Sequence, residues 1–172
     1  RDALISDIRS FNGYIDSAYT VLRDVIHEKG LSDGRLGFEY SYLNEQTLDS
    51  VRNYFPRAHL LDCSDLMDQV RWIKTKGEIG LLEANADLLD EAYLEVFPKV
   101  KVGDTEREIH SRIVKECISR GAQWVHGILN SSRNTVMYGG EGDFEFAAAD
   151  IIRNDYVLYR HGYPGHQSRT VV

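Results

Sequence analysis

The spacing of apolar side chains predicts two helices in the first third of the chain. Apolar residues three or four positions apart indicate the buried face of a helix. The first helix ends at Gly30, and the second, with Leu48, Val51 and Phe55 on one side, ends at Pro56. The first face consists of Ile15, Ala18, Tyr19, Leu22 and Ile26. Short apolar runs at residues 35–40 and 58–63 alternate with these helices and are typical of strands in a helix-covered sheet.

The most regular spacing lies in the middle of the chain and predicts one long amphipathic helix. Its buried face is expected to contain Ile79, Leu82, Ala86, Leu89, Tyr93 and Phe97. Before it, Ser64 is expected to cap a short helix over residues 64–73. After it, Thr105 and Glu108 form a capping box, because each side chain can bond the other residue's backbone N–H. A third helix is therefore predicted from there to Gly121.

Beyond Gly121 the pattern changes to short apolar or aromatic runs separated by polar turns. The runs are WVHGIL, VMY, FEFAAA and YVLYRHGY, which predicts that the last fifty residues are mostly strand. The glycine-rich residues 139–143 lack the Lys and helix of a phosphate loop and are interpreted as a turn. Two domains are expected, 1–68 and 69–172.

Composition and charge narrow the class of protein. The 172 residues are 42% hydrophobic, which is enough for a folded protein, and the net charge of −7 argues against nucleic acid as a ligand. No apolar run approaches the roughly 20 residues that cross a bilayer, and the first residues do not resemble a signal peptide, so we expect a cytoplasmic protein without membrane contact. Cys63 and Cys117 are too far apart in sequence to suggest a zinc cage or a disulfide framework.

Several short motifs carry a resemblance to a known family. An Arg-x-Ile-Lys-(Ser/Thr)-x-x-Glu-Ile pattern is matched by Arg71, Ile73, Lys74, Thr75, Glu78 and Ile79. A Gly-x-Thr-Glu turn follows at Gly103, Thr105 and Glu106. From about residue 20 onward the chain resembles the creatinase, prolidase and aminopeptidase P ("pita-bread") family. The resemblance implies an α/β fold: the end of the creatinase-type N-terminal domain (1–68), then the first half of a pita-bread α+β domain (69–172). It also implies a homodimer.

The resemblance weakens at the positions that hold metal in this family. Metal-dependent members carry an Asp-x-Gly, then a second Asp before a Thr-Arg-Thr-like end, and further His and Glu ligands. Here Gly162, Tyr163, Arg169 and Thr170 match the end motif, with His166 at the second Asp position. Arg160 aligns with the first Asp, and Met137 or Tyr138 with an expected His.

A guanidinium cannot ligate a cation and repels it. We therefore predict no metal cofactor. Two divalent ions such as Mn or Zn are the alternative if residues are missing between Leu158 and Gly162, because the same Gly162 cannot serve both motifs in an unbroken chain. Asp143, Glu145, Asp150 and Asp155 are scattered in sequence, so they do not predict a carboxylate pair.

The remaining polar side chains define the predicted site. His161 and His166 are the candidate catalytic residues, since histidine serves as a general base near neutral pH. The candidate substrate-binding residues are Arg160, Tyr163, Arg169 and Tyr138, since arginine clamps a carboxylate. The substrate expected is small, amino-acid-like or a dipeptide. His126 is interpreted as a core or rim residue of a strand.

Three functions fit this sequence. The first is a creatinase-like hydrolase or lyase that cleaves a C–N bond without the family's usual metal pair. The second is a pita-bread protein that has lost catalysis and serves as a binding module. The third is an Xaa-Pro metallopeptidase whose metal-binding segment is absent from these 172 residues.

Overall fold

A computed structural model describes residues 5–134 and 139–172, which form two compact units. The first unit extends to Ile73 and the second is Lys74–Val172. Both units mix helices and strands, which confirms the predicted α/β class. The predicted domain limits at residues 68 and 69 lie close to this division and stay a prediction.

The first unit is a parallel strand pair with helices. Its elements are α1 (Ala18–Glu28), β1 (Arg35–Phe38), α2 (Glu45–Tyr54), β2 (His59–Asp62) and α3 (Ser64–Trp72). A short 3₁₀ helix, Tyr40–Tyr42, follows β1. Strands β1 and β2 pair in parallel, with Arg35 opposite His59. Parallel pairing requires a crossover, here α2, as the alternation of strand and helix predicted.

The predicted cap of α3 was wrong. Ser64 is the first residue of that helix, and the preceding Cys63 makes no capping bond through its side chain. The Ser64 hydroxyl instead donates to Asp62 Oδ1 at 2.6 Å and accepts from the Ser41 backbone N–H at 3.1 Å. These bonds tie the end of β2 to the segment after β1, so the hydroxyl serves the turn and not the helix.

The second unit is a three-stranded antiparallel sheet with two helices. Its elements are α4 (Lys76–Val96), α5 (Glu106–Ser119), β3 (Trp124–Ser131), β4 (Ile152–Arg160) and β5 (Tyr163–Val171), in sheet order β3-β4-β5. Short 3₁₀ helices occupy Phe97–Lys99 and Ser132–Asn134. The predicted capping box of Thr105 and Glu108 is confirmed, and Thr75 and Glu78 form a second one at the start of α4.

The core of the second unit lies between the sheet and the two helices. On α4 the buried face contains Leu89 and Tyr93 as predicted, but Ile79 is 44% exposed. The face is completed by Asn85, Leu88, Ala92 and Val96. From α5 and the sheet the core takes Ile109, Ile113, Cys117, Leu129, Ile152, Tyr156 and Leu158.

Part of the predicted strand structure after β3 is absent. Residues 144–149 form no strand, apart from an isolated bridge between Thr105 and Glu145. The backbone of Phe146 bonds Gly103 and Asp104, at 2.9 Å each, in the turn before α5. Because this turn is too short to pair with a full strand, the segment forms no continuous β-ladder. Its alternating pattern therefore arises from packing against the turn and not from membership of a sheet. The predicted strand at residues 136–138 lies outside the described residues.

No helix in residues 5–134 or 139–172 is both long enough and apolar enough to cross a membrane.

Candidate functional site

The three-stranded sheet has two chemically different faces, because successive side chains of a strand point to opposite sides. The helix face packs on α4 and α5 and includes Tyr156, Leu158 and Gln167. The opposite face, here called the open face, points away from both helices. From the strand register, its side chains are Trp124, His126, Ile128 and Asn130 of β3, Arg153, Asp155, Val157 and Tyr159 of β4, and Pro164, His166, Ser168 and Thr170 of β5.

A histidine and a carboxylate meet on the open face. His166 Nε2 lies 2.6 Å from Asp155 Oδ1, and the Ser168 hydroxyl donates to the same oxygen at 2.8 Å. The His166 side chain is 62% exposed and that of Asp155 is 23% exposed. A carboxylate bonded to one imidazole nitrogen fixes the orientation of the ring and stabilises its protonated form. The pair is therefore suited to proton transfer at an accessible surface.

Three of the predicted site residues lie on the helix face. The Tyr163 hydroxyl donates to Glu78 Oε1 at 2.9 Å, and this hydrogen bond raises the pKa of Tyr163. Arg169 pairs with Asp90 at 2.6 Å. Arg160 is opposite Tyr163 in the register and shares its face. The sheet separates all three from His166.

Asn85 of α4 secures the end of the hairpin that contains these residues. Its side chain is 1% exposed, and its Nδ2 donates to the backbone carbonyls of Arg160 at 3.1 Å and Tyr163 at 2.7 Å. Gly165 makes the approach possible, because a Cβ there would lie 2.4 Å from the Asn85 carbonyl oxygen. The local fold of β5 thus depends on contacts with α4.

His161 and Tyr138 are not part of the His166 group. His161 and Gly162 form the two-residue turn between β4 and β5, with φ of 54° and 77°, as expected for a tight hairpin. The His161 side chain is exposed at this end of the sheet. Tyr138 lies outside the described residues.

Asp155 is a candidate site residue that sequence reasoning missed. It was one of four scattered carboxylates, whereas Arg160 was aligned with the first Asp of the metal motif. The structure brings Asp155 to His166, the residue at the second Asp position. The alternation of β4, which puts Asp155 and Arg160 on opposite faces, was the signal in the sequence.

A small cavity lies next to Asp155, lined by residues of β4 and β5 from both faces of the sheet. Its volume is about 250 Å³. It is lined by Arg153, Asn154, Asp155, Ser168, Arg169 and Thr170. Arg153 Nη2 donates to Asn130 Oδ1 at 3.3 Å, which directs the guanidinium across the face towards β3.

At the other end of the open face the side chains are aromatic. Trp124 stacks on His126, with ring centroids 5.7 Å apart, and contacts Tyr159 edge-on at 5.6 Å. His126 is exposed, so of the two interpretations of this residue the rim position is the one observed. The three exposed rings thus occupy the end of the face away from Arg153.

The connection from β3 to β4 is anchored on α5 by a buried carboxylate. Glu106 is fully buried, and its oxygens accept from the backbone N–H of Ser131 at 2.6 Å and of Gly142 at 2.9 Å, and from Asn134 Nδ2 at 2.9 Å. Three donors replace the water that a buried carboxylate loses. The Glu of the Gly-x-Thr-Glu motif therefore holds together the ends of this connection.

One helical turn further, His110 makes a second anchor. Its Nδ1 lies 2.8 Å from the hydroxyl of buried Tyr156, and its Nε2 is 3.4 Å from Glu141 Oε1. Burial lowers the pKa of His110, partly opposed by the charge of Glu141. The ring is consequently favoured in its neutral form.

A larger cavity, about 720 Å³, lies in the first unit beside the end of α1. It is lined by residues that include Arg23, Asp24, His27 and Arg57. Both arginines are already paired, Arg23 with Asp24 and Arg57 with Asp33. No predicted site residue lines this cavity, so its size alone does not make it the functional site.

Comparison with known proteins gives relatives of one kind. No family model matches the chain. It is 25% identical over 151 residues to the uncharacterized peptidase YqhT of Bacillus subtilis, covering 86% of this chain and 42% of that protein. It is 25% identical over 129 residues to the Xaa-Pro dipeptidase of Pyrococcus furiosus, covering 71% and 37%. A creatinase of Bacillus is 28% identical over 94 residues, covering 55% and 23%.

Solved structures agree with these sequence relatives. The X-Pro aminopeptidase of Thermotoga maritima superposes with a TM-score of 0.80 at 20% identity, covering 89% of this chain and 43% of that one. The Xaa-Pro dipeptidase of Bacillus anthracis gives 0.79 at 22% identity, covering 92% and 44%. The chain thus spans less than half the length of each relative described here.

The fold is the pita-bread type found in X-Pro aminopeptidases and dipeptidases. Sequence relatives include an Xaa-Pro dipeptidase and a creatinase. Together they confirm the predicted resemblance to the creatinase, prolidase and aminopeptidase P family. The share of each relative's length that this chain covers agrees with the prediction that the chain corresponds to part of such a protein.

Proposed function

We propose that the protein is a hydrolase of C–N bonds in a small amino-acid-like or Xaa-Pro dipeptide substrate, with His166 as general base. The observation that carries this proposal is the 2.6 Å contact of His166 Nε2 with Asp155 Oδ1 on the open face. The names of the relatives, which include an Xaa-Pro dipeptidase and a creatinase, support the class of bond.

In the proposed reaction, neutral His166 takes a proton from a water molecule as the water attacks the carbonyl carbon of the substrate. Asp155 stabilises the imidazolium that forms. The C–N bond then breaks, and the imidazolium returns the proton to the leaving nitrogen. Histidine suits both steps, because its charge changes close to neutral pH. Because Nε2 of His166 is hydrogen-bonded to Asp155, Nδ1 is the nitrogen that would take the proton from water and return it to the leaving group.

The metal pair implied by the resemblance does not fit the donors on this face. Asp155 and His166 supply one carboxylate and one imidazole. In the described part of the chain no group of three or more His, Cys, Asp or Glu side chains is placed to hold a metal ion. Two donors are too few for two ions, so no step is assigned to a metal here.

The alternative is an Xaa-Pro metallopeptidase in which Asp155 and His166 are two ligands and the others come from outside these 172 residues. The same contact favours it, because carboxylate and imidazole are both common ligands. Metal content by plasma mass spectrometry, together with the intact mass of the full-length protein, separates the two readings. Two ions per chain and loss of activity with a chelator would establish the alternative.

The proposal is tested by the turnover of an Xaa-Pro dipeptide with full-length variants. We expect His166→Gln to lower kcat by about 100-fold or more, since general-base catalysis contributes 10² to 10⁴. Asp155→Asn should lower kcat less, because the imidazole remains. His59→Gln, which changes an exposed histidine in β2 of the first unit, is the matched control and should retain the wild-type rate.

Unchanged kcat in His166→Gln would overturn the assignment of the base. Absence of turnover in the wild-type protein would instead favour the binding module. The roles of His161, Arg160, Tyr163, Arg169 and Tyr138, the homodimer and the cytoplasmic location stay predictions.

A further inference from the structure

We propose that Arg153 binds the carboxylate of the substrate, an inference that rests on the proposed function. It replaces the arginines that the sequence suggested for this role. Three features of Arg153 support this role: the face on which it lies, the cavity that it lines, and the partner that orients it.

Arg153 shares the open face with the catalytic pair. It precedes Asp155 by two residues in β4, so their Cα atoms are about 7 Å apart along the strand. His166 lies on the other side of Asp155, opposite Val157 in the register. Asp155 thus lies between Arg153 and His166 along the face, so a substrate held at Arg153 has to extend past Asp155 to reach the imidazole.

The other two arginines of the hairpin, Arg160 and Arg169, extend from the helix face. Arg169 also lines the cavity, but its guanidinium is paired with Asp90. On the open face of the described strands, Arg153 is the single Lys or Arg. A carboxylate approaching His166 on this face would meet Arg153 as its cationic partner.

The cavity beside Arg153 limits the size of the ligand. Its volume of about 250 Å³ suits an amino acid or a short dipeptide and not a folded protein segment. Asp155 also lines it, but the Oδ1 atom of that carboxylate already accepts from His166 and Ser168. The acidic and basic groups therefore favour a ligand that carries both charges, with its carboxylate at Arg153.

A buried amide orients the guanidinium. Asn130 is fully buried; its Oδ1 accepts from Arg153 Nη2 at 3.3 Å and its Nδ2 donates to the Gly139 carbonyl at 3.3 Å. The N–H donors of an arginine lie in one rigid plane, so a partner of this kind fixes the plane in which the guanidinium meets a carboxylate. The side chain is thus positioned before the ligand arrives.

The test is equilibrium binding by calorimetry to full-length protein in the His166→Gln background, where turnover is slow. The probes are glycyl-proline and glycyl-prolinamide, which differ at the carboxylate. We expect Arg153→Gln to weaken binding of the acid by roughly 10- to 100-fold, as for a lost charged hydrogen bond, and to leave the amide unchanged. Arg153→Lys should give an intermediate loss, because Lys keeps the charge without the bidentate geometry.

Arg120→Gln is the matched control, since Arg120 pairs with Glu91 and Glu116 between α4 and α5. Equal effects of Arg153→Gln on acid and amide, no effect on either, or no binding of the acid at all would overturn the proposal. A loss confined to Arg169→Gln would do the same and restore the sequence-based assignment. Carboxylate-dependent binding through Arg153 without hydrolysis by the wild-type protein would contradict the proposed function and leave this inference standing.

Discussion

The two faces of the three-stranded sheet differ in what their polar groups do. On the helix face, Tyr163, Gln167 and Arg169 bond to α4, at Glu78, Ala86 and Asp90. On the open face, Asp155, His166 and Ser168 bond to one another and reach the surface. A match to the family motif therefore does not by itself fix the position of a side chain: Tyr163 and Arg169 match the family pattern and bond to α4, whereas His166 departs from it and lies on the open face.

The comparison predicts that substitutions on the helix face reduce stability most. In Gly165→Ala the new Cβ would stand 2.4 Å from the Asn85 carbonyl oxygen, a backbone atom that cannot rotate away. We expect a loss of about 3 kcal/mol in the free energy of unfolding, measured by urea denaturation. Gly80→Ala is the control, because nothing lies within 4 Å of that position in α4. It should stabilise by up to about 1 kcal/mol; equal behaviour of the two variants would contradict the packing of β5 on α4.

The next largest effect is expected from Asn85→Ala. Its amide donates to the carbonyls of Arg160 and Tyr163, and the variant leaves two half-buried acceptors without that donor. The expected cost is about 2 kcal/mol in the free energy of unfolding. Ser168→Ala, which removes an exposed hydroxyl from the open face, should cost about 0.5 kcal/mol or less. A larger loss from Ser168→Ala than from Asn85→Ala would reverse the assignment of the two faces.

A smaller, pH-dependent effect is expected at His110. Because burial lowers its pKa, the folded state binds fewer protons than the unfolded state. The stability from this group is present above the ordinary histidine pKa of about 6.5 and is lost as pH falls below it through the folded value. One such group changes the free energy of unfolding by at most about 1.4 kcal/mol per pH unit.

Glu141, Arg107 and His126 also act on His110. His110→Gln should therefore flatten the stability profile between about pH 7 and 5, where the unperturbed histidine titrates. Urea denaturation across this range checks it, with His59→Gln, which replaces an exposed histidine of the first unit, as the control. Parallel profiles for His110→Gln and the wild type would contradict a half-buried imidazole whose pKa is lowered.

Much of the fold could be predicted from local sequence signals. The apolar spacing around Leu89 and the capping box of Thr105 and Glu108 involve residues within one or two helical turns of each other. Both signals can therefore be recognised from a short stretch of sequence. The predictions that were wrong concern residues whose partners are distant in the sequence. Ser64 was expected to cap a helix but bonds Asp62 and Ser41. Residues 144–149 alternate like a strand but pair with a turn about forty positions earlier in the chain.

The site was less predictable than the fold. His166 could be singled out from the sequence, but its partner depends on the strand register, which brings Asp155 next to it from eleven positions earlier. Arg153 likewise had no motif. If β4 alternates strictly from Ile152 to Arg160, Arg153 and Asp155 lie on one face and Arg160 lies on the other. The face of each side chain could therefore be derived once the limits of the strand were known.

The most direct test of the central claim, that Asp155 and His166 act as one unit, is a double-mutant cycle on kcat in the full-length protein. The variants are His166→Gln, Asp155→Asn and the two combined, with the free energy of unfolding measured for each. A unit of this kind predicts that the double variant is no slower than His166→Gln alone, because Asp155 acts through the imidazole. Losses in kcat that multiply, with stability unchanged, would contradict it and show that the two side chains act independently.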